Sequence, residues 1–257
     1  MIDYHIHTIF SDGSGTHEEY LKAAIKNGVT EIGFSDHICF KEVEWTMKTS
    51  DMPIVIEKIQ NMNEESGIPI KLGIEMDFLP GRENEIKEFI EKYPFDYVIG
   101  SVHHIDDWCF DSPKQVKGYD KWDIYELYVL YFDLVRKAAR TGLFDIIAHP
   151  DVIKKFGHRP TKNIDSILEE TAKALKEGNV CIDINTSGLI KPCKEIYPGK
   201  RLLEMCHNKG VPITFGSDSH LPERVGADFD YAAKLVREVG YTKSVKFTGR
   251  KREFVEI

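Results

Sequence analysis

Strand-type and helix-type runs alternate from the first residues to the last, and this alternation leaves few architectures open to the chain. The strand-type runs are Asp3–His7, Glu31–Ser35, Ile70–Met76, Asp96–Val102, Phe144–His149, Val180–Asn185 and Pro212–Ser217. Helical patterns fall between them at Thr16–Asn27, Met52–Ser66, Asn84–Lys92, Lys121–Arg140, Ile164–Glu177, Lys200–Asn208 and Asp228–Val239. Several of these stop on glycine, at Gly28, Gly67, Gly142, Gly178, Gly210 and Gly240, the residue that ends a helix with least strain. Strands alternating with helices predict an α/β fold with a mostly parallel sheet and its helices outside. Seven such units in one uninterrupted round predict a distorted seven-stranded (β/α) barrel similar to a TIM barrel; an open doubly wound sheet is the alternative. The segment Ser244–Ile257 reads as a terminal hairpin or an extra strand. With 257 residues and no internal linker, repeat or low-complexity tract, the chain is read as one domain, 1–257, a length that single α/β barrels commonly reach.

Nearly every strand-type run ends in a side chain able to hold a metal ion. His5 and His7 are two apart on the first strand and so share a face. The second run leads into Ser35-Asp36-His37, the third ends at Gly73-Ile74-Glu75, and the fourth leads into Ser101-Val102-His103. Ala148-His149-Pro150-Asp151 follows the fifth, and Ser217-Asp218-Ser219-His220 follows the seventh, again with an i, i+2 pair. In a parallel barrel the C-terminal strand ends meet at one rim, where barrel active sites are built. Residues spread from His5 to His220 would therefore converge. Taken singly, each has an ordinary structural reading as a helix cap or loop partner; repetition at equivalent points is what argues for a site. Imidazoles with carboxylates suit zinc, iron or manganese, whereas calcium prefers oxygen alone. No cysteine takes part in the pattern.

Composition narrows the partners. The 42 acidic residues exceed the 34 basic ones for a net charge of −8, which disfavours nucleic acid. No apolar run approaches the ~18 residues of a membrane span, so no membrane partner is expected. Five cysteines without a CxxC pair point to a reduced, cytoplasmic protein. Two connections, Ile38–Asp51 with Phe40, Trp45 and Met47, and His104–Lys121 with Trp108, Phe110 and Tyr119, exceed the usual ~2–6 residues. They either pack on the rim or wall a pocket for a small ligand.

Together these motifs resemble the PHP (polymerase and histidinol phosphatase) family. The likeness runs through Tyr4-His5-Ile6-His7-Thr8, Ser11-Asp12-Gly13, Gly33-Phe34-Ser35-Asp36-His37, Gly73-Ile74-Glu75, Ser101-Val102-His103, Ala148-His149-Pro150 and Ser217-Asp218-Ser219-His220. Within the family, the size, the Ser-Asp-His block and Asn185-Thr186-Ser187-Gly188 followed by Tyr197-Pro198 are similar to its histidinol-phosphate phosphatases. The resemblance implies two to three divalent ions, one held by His5, His7, Glu75 and Asp218. Glu75 would bridge to a second with His103 and His149, and Asp12, His37 and His220 would hold a third. Some relatives carry histidine where Asp12 stands, so the third site has its own donor set here. His17 is read as first-turn helix rather than ligand.

The implied activity is hydrolysis of L-histidinol phosphate to L-histidinol and phosphate, a step of histidine biosynthesis. A small, nucleotide-type phosphate ester is the alternative substrate. Three ions against Asp12, Glu75, Asp218 and a hydroxide leave a charge of about +2, which complements a phosphate monoester dianion. The nucleophile would be a metal-bound hydroxide, and the acid for the departing alcohol either a bound water or His104. Arg159, in Gly157-His158-Arg159-Pro160, could clasp phosphate bidentately; Asn185, Ser187 and Lys191 are further substrate-binding candidates.

Overall fold

The computed structural model describes residues 1–257. Its strands are β1 (Ile2–Asp3), β2 (Glu31–Phe34), β3 (His37–Ile38), β4 (Ile70–Leu72), β5 (Glu75–Asp77), β6 (Ile99–Ser101), β7 (His104–Ile105), β8 (Trp108–Cys109), β9 (Ile146–Ile147), β10 (Cys181–Asn185), β11 (Ile213–Gly216), β12 (Lys243–Thr248) and β13 (Lys251–Glu256). The helices are α1 (His17–Lys26), α2 (Met52–Asn63), α3 (Glu83–Lys92), α4 (Ile124–Arg140), α5 (Asp165–Glu177), α6 (Lys200–Lys209) and α7 (Phe229–Val239). Local chemistry sets several boundaries. Thr16 and Glu19 cap α1 reciprocally. The Asp123 carboxylate accepts from the Glu126 N–H to start α4 three residues later than the pattern suggests, after an extended Trp122. α6 stops at Gly210, whose φ of 69° is left-handed.

The fold is α/β with mainly parallel pairing. β1, β2 and β4 form a three-stranded sheet, and β11-β10-β9-β6-β5-β3 form a six-stranded one, parallel throughout. The expected count of seven unbroken strands is corrected. The second run gives β2 and then β3 in the other sheet, and the run at Ile70–Met76 gives β4 and then β5 across the same seam. At the seam the buried Asp36 carboxylate accepts from the Thr8 N–H at 2.7 Å, the Thr8 hydroxyl at 2.8 Å and the Ser11 hydroxyl at 2.6 Å. Gly73 N–H to Phe34 O (2.9 Å) and Glu75 N–H to Asp36 O (3.2 Å) carry the hydrogen bonding across the break. The first run is also shorter as a strand than expected. Residues 4–7 lie along the end of the last parallel strand, with Tyr4 N–H to Phe215 O and His7 N–H to Ser219 O, both 3.0 Å.

Fifty-eight buried residues fill the main core, which joins the sheets to the helices. A second cluster holds Ile2, Tyr4, Tyr97, Ile99, Ile146, Ala148, Cys181, Val245 and Phe247. Val245 and Phe247 come from the terminal segment, which forms the hairpin rather than the single extra strand of the two alternatives the sequence left open, and it seals the sheets at the end where the strands begin. Tyr97 crosses this interior and donates to Tyr4 O at 2.8 Å. It fits because Gly33 and Gly73 present bare backbone to its ring; a Cβ at either position would collide with it. Gly73→Ala therefore lowers stability by about 1–3 kcal/mol through overpacking, read from the midpoint of denaturant unfolding. A change below a few tenths would show that the ring yields without cost.

Candidate metal centre

Because the parallel strands run one way, their C-terminal ends deliver side chains to a single mouth. Glu75, at the start of β5, lies at its centre and is 0 % exposed. Its Oε2 is 3.0 Å from His5 Nε2, 3.4 Å from His7 Nε2 and 3.0 Å from His37 Nδ1. The other oxygen is 3.3 Å from His149 Nε2 and 3.7 Å from His103 Nε2. Asp218 Oδ1 approaches His7 Nε2 (3.3 Å), His220 Nδ1 (3.6 Å) and His5 Nε2 (3.7 Å). Asp12 Oδ1 approaches His220 Nε2 (3.3 Å) and His37 Nε2 (3.6 Å). All nine residues named as ligands from the sequence thus stand at this mouth.

So many rings about one carboxylate leave a charge problem that the protein solves unevenly. Burial opposes ionisation of Glu75, yet His5 and His37 outweigh that and hold its carboxyl well below the usual range. Burial, with His37 and His220 alongside, pushes His7 down to about 3, so that ring is neutral. His220 goes up to about 8, its burial outweighed by Asp12 and Asp218. Both nitrogens of His7, Nδ1 of His149 and Oε1 of Glu75 are buried without a hydrogen-bond partner. Buried polar atoms are seldom left so unless something else satisfies them.

Outer carboxylates aim the rings. Asp183 Oδ2 lies 2.7 Å from His5 Nδ1, and Asp77 Oδ1 lies 2.5 Å from His103 Nδ1. Holding Nδ1 directs the Nε2 lone pair at the centre, as carboxylate–histidine pairs do around metals. Asp77 also reaches His104 Nδ1 at 2.9 Å through its second oxygen. Burial disfavours charge on His104, but Asp77 and the neighbouring Cys109 raise it to about 9. The sequence reading missed Asp77 and Asp183. Their signals were present: Asp77 is two residues beyond Glu75 on the same strand, and Asp183 is a lone acid within an apolar strand. Cysteine was also left out of the pattern, yet Cys39 lies within ligand reach of Asp77 and His104.

The substrate-binding candidates separate. Ser187 and Lys191 line a cavity of about 1140 Å³ over the centre, together with Trp45, His104 and Lys155. Asn185 points inward, its amide donating to Asp183 (3.0 Å) and Asp218 (3.2 Å). The Ser187 hydroxyl reaches Asp218 at 3.0 Å, so these two steady a carboxylate of the centre. Arg159 stands outside the cavity lining, its guanidinium on Glu195 at 2.7 Å. Lys155 occupies the wall instead, paired with Asp111 at 2.8 Å. The long aromatic connection of the sequence analysis does wall the pocket: Trp45 sits edge-on to His37 and parallel to His104.

Four groups at the mouth bring ligand atoms within 4.8 Å of one another: His7, Asp12, His37 and His220; His5, His7 and Glu75; His5, His149 and Asp218; and His37, Glu75 and His103. Imidazole and carboxylate are the donors that suit zinc, iron or manganese. The unpartnered His7 Nε2 and Glu75 Oε1 belong to the groups facing this mouth, where cations would satisfy them. The residues present fit divalent ions.

The PHP domain profile matches residues 3–187, and the chain belongs to the PHP family. It is 36 % identical over 259 residues to a "probable histidinol-phosphatase" of Deinococcus radiodurans, covering 98 % of each chain. A histidinol-phosphatase of Lactococcus lactis is 29 % identical over 262 residues, covering 97 % of this chain and 95 % of the relative. Among solved structures, the histidinol phosphate phosphatase of Lactococcus lactis, complexed with zinc, L-histidinol and phosphate, superposes with a TM-score of 0.79 at 26 % identity, covering 98 % of each chain.

Proposed function

We propose that this protein is a metal-dependent phosphomonoesterase that hydrolyses L-histidinol phosphate to L-histidinol and phosphate, in histidine biosynthesis. The observation that carries the reading is Glu75, wholly buried between five imidazoles, in a chain matched over its length by a relative solved with zinc, L-histidinol and phosphate. His5, His7, Glu75 and Asp218 would hold one ion; Glu75, His103 and His149 a second; Asp12, His37 and His220 a third. Bound there, such ions supply Lewis acidity toward phosphoryl oxygens and bring the pKa of water toward neutrality.

The chain's own residues do the rest. Asp183 and Asp77 keep His5 and His103 oriented, and Asn185 with Ser187 holds Asp218 in place. His104 carries a proton at Nδ1 toward Asp77 and, charged at neutral pH, presents its ring to the cavity. This is the position for an acid that protonates the departing alcohol. Lys155 and Lys191 offer positive charge on the walls, and Trp45 limits the water around the substrate. The same reading takes residues 1–257 as one distorted closed barrel. Its support is the set of bonds from residues 4–7 to Phe215 and Ser219, which link the three-stranded sheet to the far edge of the other. A cytoplasmic site agrees with five unpaired cysteines.

Turnover of histidinol phosphate should exceed that of generic monoesters many-fold in protein loaded with zinc, manganese or iron; equal turnover across a monoester panel would reject the assignment. His104→Gln should lower turnover of histidinol phosphate about 10²-fold or more and spare p-nitrophenyl phosphate, whose leaving group needs no proton. Equal losses on both esters would remove the acid role from His104.

A further inference from the structure

The terminal hairpin leaves one strand edge without a partner. Its sheet contains β12 and β13 alone, in register from Lys243 opposite Glu256 to Thr248 opposite Lys251. The Ile257 N–H donates to Thr242 O at 3.0 Å, so residue 257 faces β12. By the two-residue period of a strand, residues 251, 253 and 255 face β12 as well. The N–H and C=O groups of Arg252, Phe254 and Glu256 therefore point away from it. The pairing is continuous along all six residues, with no proline or bulge; the four charged residues of KREFVE protect the edge against any partner whose charges do not match.

The side chains on that edge form a self-complementary pattern. Phe254 is 58 % exposed, with Arg252 and Glu256 on the same face two residues to either side. Antiparallel pairing of β13 with itself about a two-fold axis at Phe254 sets Phe254 opposite Phe254. The same pairing sets Arg252 opposite Glu256 of the second copy, twice over. Aromatic and opposite-charge pairs are favourable cross-strand partners. On the other face Glu253 meets Val255 and Lys251 meets Ile257, so no like charges face each other. Moving the axis to residue 253 would set Glu253 against Glu253. Moving it to residue 255 would give up both Arg252–Glu256 pairs and set Phe254 against Glu256, so the first register is the favoured one. Arg252 bonds Asn179 at 3.0 Å and Glu256 lies 3.4 Å from Lys243, and both keep hydrogen-bonding capacity for a further partner.

We propose that β13 is the surface by which two copies of this chain associate, joining two hairpins into one four-stranded antiparallel sheet. The edge lies at the end of the fold opposite the metal centre, so activity serves as a folding control. Sedimentation velocity of the full chain, from about 1 µM to about 0.5 mM, tests it on a reversible, concentration-dependent dimer. Glu256→Arg sets arginine against arginine on both sides of the axis and should weaken the dimer roughly tenfold or more. Arg252→Glu combined with Glu256→Arg restores the pairing with its signs exchanged and should recover the wild-type dimer, with turnover per chain unchanged throughout. A wild-type chain that stays monomeric over this range overturns the proposal. So does a dimer indifferent to Glu256→Arg, or a double variant no tighter than the single one.

Discussion

Glu75→Ala should cut kcat/KM for histidinol phosphate by about 10³-fold or more, near 4 kcal/mol of transition-state stabilisation, and lower the bound metal in the same sample. The two losses come together because one carboxylate faces both halves of the centre. Its Oε2 addresses His5, His7 and His37, and its Oε1 addresses His103 and His149. Without it, Asp218 and Asp12 remain beside His5, His7 and His37, but the one carboxylate that lies between all five rings is gone. Asp183→Asn is the graded comparison. It leaves every proposed ligand in place and loosens His5 together with the Asn185 amide that also donates to Asp183, so its loss should be about 10–100-fold. Full metal content and near-normal turnover in Glu75→Ala would break the link between this residue and the chemistry.

Removing divalent ions with a chelator should abolish turnover, and zinc, manganese or iron should restore it. The pH dependence of reloading has a definite sign. Without ions, His220 is raised to about 8 by Asp12 and Asp218 against its burial, and His5 lies well above its ordinary value because Glu75 and Asp218 outweigh the cost of burial. Each must give up a proton before its lone pair can bind, so metal affinity should rise as pH increases toward and through about 8, with protons released on binding. The ion-free protein should behave oppositely. Groups raised above their unfolded pKa contribute stability that is complete below that value and is lost as pH rises through the folded one. The ion-free form should therefore lose stability between about pH 6.5 and 8, near the reference value for histidine and the raised one. Calorimetry in buffers of different protonation enthalpy reads the proton release, and thermal melts at pH 6 and 8 read the stability. Reloading that weakens as pH rises would contradict the proposed donors.

Much of this was legible from residue pattern alone. The helical runs were placed closely because their caps and glycine stops are local signals, such as Thr16 with Glu19 and Gly210. The gathering of the nine candidate ligands at one mouth was legible because parallel strands turn sequence position into a shared rim. The seam at Asp36 and Gly73 was not, since it depends on Thr8 and Ser11 reaching across from another segment. Asp77 and Asp183 were missed for a similar reason: their work is defined by the rings they hold, and ring orientation is a tertiary fact. Arg159 looked suited to phosphate by charge and loop position, but Glu195, far along the chain, holds it away from the cavity. Lys155 has the same charge and lies four residues earlier, where the turn after β9 directs it inward.

Anomalous diffraction from crystals of the untreated protein, recorded at the zinc, iron and manganese edges, bears most directly on the centre. The expected result is at least two anomalous peaks within bonding distance of nitrogen or oxygen atoms of His5, His7, His103, His149 and Asp218, with Glu75 touching both. Peaks confined to other parts of the molecule, or none beside Glu75 in protein that hydrolyses histidinol phosphate at full rate, would contradict it.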